Sequence, residues 1–246
     1  MITRHHVIIS LMCSIFAGFA IVPKDPFLMI IFSSGTCLGA ILLDIQMKEP
    51  KKFCNLTLAW YFTRFTRTLC VPVMCSCYRL IGLGVEPCDK RLTHSVPGIA
   101  FSAGIIAALL CCITAGTGIH SLVPVTIMFF AGLFFGMCLH MAEDLCTRKG
   151  IAPLYPFSET RVSGSIRPCN TGDRRIRQFH GQHCSVLTGF IVLTAMGVIP
   201  GTLVPLAGII GIAVCTGPMW YLSSLRLSDG NEARSRLPQG IPHASA

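Results

Sequence analysis

The stretch LVPVTIMFFAGLFFGMCLHMAED, Leu122 to Asp144, decides what kind of fold this chain has. It is an uninterrupted apolar run that ends abruptly on His140, Glu143 and Asp144. A run of this length matches the roughly 20 residues needed to cross a hydrocarbon core as a helix. Ionisable groups at membrane depth are expensive to keep, so their presence at the end of such a run marks a candidate functional site.

The rest of the chain repeats the pattern. Apolar blocks occupy about 7–22, 27–43, 96–118, 122–140, 185–199 and 202–222. The first and fifth are short for a span and call for flanking residues or a thinner bilayer. With 52% hydrophobic and 13% charged residues and a mean hydropathy of +0.64, the chain has too few charges to clothe a soluble domain of 246 residues. The net charge of +9 sits between the apolar blocks. That placement suits an anionic lipid leaflet better than a nucleic-acid groove. The expected fold class is therefore all-α: a polytopic membrane helical bundle of about six transmembrane helices over 1–225, followed by a disordered tail at 226–246.

Charge assigns the sidedness. Lys48, Lys51, Lys52, Arg64, Arg67, Arg79, Lys90 and Arg91 fall between blocks two and three, and Arg148, Lys149, Arg161, Arg167, Arg174, Arg175 and Arg177 between blocks four and five. Arg4 precedes the first block, and Arg226, Arg234 and Arg236 follow the last. The positive-inside rule then puts both long loops and both termini in the cytoplasm. Leu56 to Leu83 reads as an amphipathic interfacial helix or a poor further span. The basic stretch Arg161 to Arg177, with its Ser-Gly-Ser and Asn-Thr-Gly runs, reads as a loop.

The fourteen cysteines lie largely inside apolar blocks, where a thiol behaves as a small hydrophobe. Cys75 and Cys77 lack the spacing of a zinc knuckle.

Polar groups gather on one side. His5 and His6 open the first block, Asp44 closes the second, His94 opens the third, and His140 and Asp144 close the fourth. Given the sidedness, all lie at cytoplasmic helix ends. His140 and Asp144 are four apart and share one helix face. Imidazole with carboxylate suits zinc or another divalent first-row metal, which lowers the pKa of a bound water and polarises a phosphoryl oxygen. Against this, a helix-end histidine is commonly only interfacial, Asp44 alone fits a helix-end carboxylate near Lys48, and Glu143 reads as part of a solvated face. Thr93 and Ser95 read as caps of the third block, and His120, His180, His183 and His243 as surface residues.

These motifs, taken in order, resemble a known family. A histidine precedes the first apolar helix. Then come Leu-Gly-x3-Leu-Asp-Ile ending at Ile45, Leu-Thr-His-Ser at Leu92 to Ser95, and Gly136-x3-His140-x3-Asp144-x2-Thr147-x2-Gly150-Ile151, followed by Leu-Tyr-Pro-Phe-Ser at Leu154 to Ser158. Over roughly residues 1–160 the chain resembles the YdjM-type inner-membrane proteins classed as metal-dependent hydrolases. That family is held to be distantly related to zinc-dependent phospholipase C and P1 nuclease, all-helical enzymes with a His/Asp metal cluster.

The resemblance implies an inner-membrane, multi-pass hydrolase. It makes His6 (or His5), Asp44, His94, His140 and Asp144 the ligands of a divalent metal, zinc or manganese. Leu43 and Gln46 stand where the family has Pro and a second Asp, and Asp89 and Arg91 where many relatives have His and Gly. Asp89 and Arg91 thus become candidates for catalysis or substrate binding. The implied substrate is a phosphate ester, with membrane lipids favoured by location; no nucleic-acid partner is expected. The competing class is a non-catalytic membrane protein: a transporter, a metal sensor or a lipid-binding scaffold.

Overall fold

The computed structural model describes residues 3–45, 61, 64–87, 89–168, 170 and 172–228, with the side chains of Thr3, Arg4, Asp44 and Ile45 outside that description. It is a helical bundle. Helix α1 runs Thr3–Ile21 and α2 Pro26–Ile45. A short π-helical turn, Thr66–Cys70, leads into α3, Val71–Leu80. The single turn α4, Lys90–Thr93, precedes α5, Val96–Thr117, and α6, Leu122–Leu145. Helices α7, Arg175–Ala195, and α8, Val204–Ser223, complete the bundle.

Among the described residues, four helices are long and apolar enough to cross a membrane: Pro26–Leu43 in α2, then α5, α6 and α8. The apolar part of α1, His5–Ile21, is shorter. The fifth block turns out to be only the second half of α7, whose first half carries Arg175, Arg177, His180 and His183. Large apolar side chains stand exposed on the outer faces, among them Ile30, Ile113, Ile127, Ile209 and Ile210. A soluble protein does not leave so many contiguous helices greasy on the outside; a bilayer accounts for them.

The centre of the bundle is α2 against α6. These two helices run parallel, and glycines let them touch backbone to backbone. A methyl group added at Gly35 or Gly39 would strike the carbonyls of Phe129 or Leu133, and one at Gly132 or Gly136 those of Phe32 or Thr36. Pairs of glycines four apart on both helices make the small-residue seam typical of close membrane helices. The seam has a simple register: residue 32 lies beside 132 and 36 beside 136. Leu38, Leu42, Ile99, Leu133 and Met137 fill the flank where α5 packs on it. On the other side α1 packs against α8 and α7 through Phe16, Leu187, Phe190 and Cys215.

Several segments depart from the sequence reading. Part of the stretch expected to be a loop forms β1, Arg161–Ser163, which pairs antiparallel with β2, Arg226–Ser228, in the register Arg161 to Ser228 and Ser163 to Arg226. Arg226–Ser228 therefore belongs to the folded unit; the remainder of the expected tail, 229–246, lies outside the described residues. Strands of three residues offer no alternation to read in advance. The segment expected as an interfacial helix is described from Arg64 onward, apart from Tyr61. Its α3 is amphipathic, with Met74, Cys75 and Tyr78 buried and Arg79 and Leu80 outward. Cys13, Cys70, Cys75, Cys146 and Cys215 are buried free thiols, as packing residues would be.

Candidate metal centre

Helices α1 and α2 form one antiparallel pair and α5 and α6 another, and the parallel seam joins the pairs. The start of α1 and the ends of α2 and α6 consequently meet at one end of the bundle. Here the side chains of His6, His140 and Asp144, all buried, come together with one possible ligand atom each within 4.8 Å of the others. The geometry is convergent. His6 Nε2 lies 3.6 Å from Asp144 Oδ1, and His140 Nε2 lies 3.4 Å from Asp144 Oδ2. The two imidazoles stack, with centroids 3.8 Å apart and planes 17° from parallel.

The protonation of His140 follows from its partner. Nδ1 is 2.6 Å from the carbonyl of Ala40. A carbonyl only accepts, so Nδ1 carries the proton and, in the neutral ring, Nε2 presents its lone pair towards Asp144. A backbone carbonyl holding the far nitrogen of a ligand histidine is the usual support of a metal site. The seam supplies it, since residue 40 falls beside residue 140 in the register already set by the glycines. The same register carries the α2 backbone at Asp44 to the level of Asp144. The Asp44 side chain itself lies outside the described residues.

Glu143, expected on a solvated face, is buried instead, with its Oε2 2.9 Å from His6 Nδ1. The approach is short but off the axis of a formed hydrogen bond, so it acts as a charge contact on the ring. The signal for it was present in the spacing: position 143 is three residues from 140 and shares its face. His183, expected at the surface, is also buried, with Nδ1 2.7 Å from the carbonyl of Phe179. It sits within α7 and is not a member of the His6, His140 and Asp144 group.

His94 reaches the edge of the centre but is not in the tight group. Its ring meets that of His140 edge-on, centroids 5.6 Å apart. Thr93 Oγ1 lies 3.3 Å from the Lys90 carbonyl and 3.2 Å from His94 Nδ1. With the hydroxyl proton given to the carbonyl, Nδ1 donates to Thr93 and Nε2 is bare, buried and without a hydrogen bond among the described residues. Burial, with help from the charge of Lys90, pushes the His94 imidazole down to about 3, so it is neutral at physiological pH. Ser95, as expected, caps α5: its Oγ accepts from the Gly98 N–H at 3.1 Å.

Asp89 and Arg91 stand apart from the histidines. Asp89 caps α4 by accepting from the Arg91 N–H at 2.9 Å, and grips the Arg91 guanidinium at 2.7 to 3.2 Å through Nε and Nη2. Burial would raise the Asp89 carboxyl, but the hydrogen bonds from Arg91 outweigh it and hold the group below its ordinary value. Arg91 also lies over the ring of Tyr155, 4.4 Å from its centroid. Tyr155 belongs to the Leu154 to Ser158 segment, whose Leu154 and Phe157 are exposed.

After α6 the chain is held by Thr147, which donates from Oγ1 to the Asp144 carbonyl at 2.8 Å, and by Gly150 at φ +58°. A side chain at Gly150 would meet β1 at Val162 and Ser163. This turn brings Arg148 and Lys149 back towards the centre. A cavity of about 930 Å³ opens here, with His94 and Asp144 in its wall and Lys90, Arg91, Arg148 and Arg161 among its cations.

The donor set fits a metal. Two imidazole nitrogens and a carboxylate are the ligands a catalytic zinc takes while keeping a position open. The buried His6 and His94 nitrogens without hydrogen bonds among the described residues would otherwise be costly.

No curated protein and no solved structure gives a significant match to the chain. A family model does, over residues 1–217, most of the described bundle and well beyond the 1–160 expected from the motifs. The match spans the histidine that opens α1, the seam and the His140–Asp144 face, and with four apolar helices able to span a bilayer it makes this a multi-pass inner-membrane protein, a member of the YdjM inner membrane protein family.

Proposed function

We propose that the chain is a membrane-bound, metal-dependent hydrolase of a phosphate ester or phospholipid, with its site at the cytoplasmic face. The observation that carries this is the buried convergence of His6, His140 and Asp144 beside a cavity rich in cations. The basic loops support a cytoplasmic position for that end of the bundle and for both termini. In this reading α1 and the apolar half of α7 join the four longer helices as spans, six in all.

His6, His140 and Asp144 would hold the metal, with His94 at its edge; Asp44, the remaining expected ligand, has its side chain outside the described residues. Zinc suits this nitrogen and oxygen set, and manganese is the alternative. When bound, such an ion supplies a nucleophile at neutral pH and polarises a phosphoryl oxygen. The chain's own residues do the rest. The Ala40 carbonyl keeps the His140 proton on Nδ1, and Glu143 holds His6 in place. Apolar packing by Ile9, Cys13 and Leu139 excludes water behind the histidines. Arg91, its guanidinium plane set by Asp89 and Tyr155, orients an anionic substrate at the cavity rim. Asp89 is thus a positioning residue for Arg91.

The test is elemental analysis of detergent-purified protein beside His140→Ala and Asp144→Ala, followed by a phosphoesterase and phospholipase screen. Stoichiometric zinc or manganese in the wild type, lost from both variants together with turnover, is the expected result. Bound metal without turnover would leave a metal sensor, and no bound metal a transporter or lipid-binding scaffold.

A further inference from the structure

A second groove, of about 720 Å³, adjoins the metal-centre cavity and runs along the β1–β2 ribbon. The two share Arg148, Lys149, Arg161 and Arg167, and the second adds Arg226 from β2. Among the described residues its lining contains no carboxylate; serines and glycine make up most of the remainder. None of these five cations forms an ion pair among the described residues. The contrast with their neighbours is plain, since Arg91 is neutralised by Asp89 and Arg175 by Asp173, each pair at 2.7 Å. Like charges gathered without counter-charges repel one another, and the fold nevertheless assembles them. The ribbon does so by pairing Ser163 with Arg226, which ties the chain after α8 to the loop after α6.

We infer that this groove is a subsite for a further phosphate, so that the ligand of the cavity carries a diphosphate or longer polyphosphate group. One phosphate at the metal centre is served by the metal and the near cations. Five uncompensated cations, four lining both cavities and Arg226 the second alone, exceed what a single phosphate needs, whereas a second phosphate on the same ligand would sit between Arg148 and Arg226 and accept from both. Serine hydroxyls along the groove supply neutral donors to the same oxygens. The inference extends the phosphoester reading to a substrate class, but the anion subsite stands whether or not a metal is held.

The measurement is calorimetric binding of orthophosphate, pyrophosphate and tripolyphosphate to the full chain in detergent, after chelator treatment. Arg226→Gln and Arg148→Gln are compared with Arg79→Gln, which removes an exposed cation outside the groove. Neither groove side chain has an ion pair or side-chain hydrogen bond among the described residues, so melting temperatures should match wild type and separate binding loss from misfolding. Pyrophosphate or tripolyphosphate should bind at least about tenfold tighter than orthophosphate, and each groove variant should weaken that binding by about tenfold while Arg79→Gln leaves it alone.

Competition with vesicles containing a diacylglycerol diphosphate or phosphatidic acid then identifies the source. Displacement by the lipid diphosphate assigns a membrane-borne ligand, and its failure a soluble one. Equal affinity for the three anions, or equal loss in Arg79→Gln, overturns the proposal. Because the metal is removed beforehand, a chain that never binds zinc would fail the hydrolase reading and still pass or fail here independently.

Discussion

Glycine appears in two settings in this bundle, and the settings differ in what they do for the centre. Along the α2–α6 seam, Gly35, Gly39, Gly132 and Gly136 lie against the backbone of the facing helix. On α5, α7 and α8, Gly104, Gly116, Gly189 and Gly217 have nothing within 4 Å of where a methyl group would stand. Residue type and apolar surroundings are alike; only the first set fixes a register. The lesson is that the candidate metal centre is positioned from the seam, because the register that brings Gly136 to Thr36 also brings His140 to Ala40.

Breaking the seam should have the largest effect. Gly39→Val places a branched side chain against the Leu133 carbonyl, and loss of the folded protein from detergent extracts is the expected outcome, read by size-exclusion chromatography. Gly136→Ala is milder: overpacking of this kind costs on the order of 2–3 kcal/mol. It should lower thermal stability and weaken metal binding together, since the Ala40 carbonyl shifts with the helix. A stable Gly136→Ala protein with wild-type metal content would separate centre from seam and undo the comparison.

The support of His6 comes next in size. Glu143→Gln keeps the volume but removes the charge beside Nδ1, and a loss of about tenfold in metal affinity is expected from such outer partners. Competition with a chelating dye would measure it, and the same variant should melt close to wild type.

Glycine on the outer faces should hardly matter. Gly104→Ala fills open space and gains helix propensity worth up to about 1 kcal/mol, so its melting temperature should rise slightly or stay put. A marked fall would mean that α5 has a close partner at that point, such as a second copy of the chain. Smallest of all is acid sensitivity through Asp89. Its carboxyl is held low by Arg91, so the pair contributes stability above the ordinary value of 3.8 and loses it as the pH falls below that. Asp89→Asn should therefore narrow the difference in melting temperature between pH 6 and the acid limit by about a degree or two.

Much of this was legible beforehand. Apolar length announced the helices, and a spacing of four put His140 and Asp144 on one face. Charge asymmetry brought the other polar helix ends to the same side, where His6 indeed joins them. Glu143 was misread because a carboxylate in a single sequence looks solvated until its face is traced to His140. The Ala40 carbonyl could not be read at all, being a backbone atom delivered by a register between helices a hundred positions apart. Nor could the β1–β2 ribbon, whose strands are too short to show alternation.

That bond from His140 to Ala40 ends on a carbonyl, and every amino acid carries one. No substitution at position 40 deletes the acceptor; it can only push the helix away by bulk. An alanine scan would pass over the residue in silence, since it is alanine already, and a search confined to side chains would find Asp144 beside Nε2 and miss what holds Nδ1. What guards the tautomer is the spacing between two helices, so an insertion or deletion of a single residue between Gly136 and His140 would turn the ring away from that carbonyl more surely than any point change at position 40.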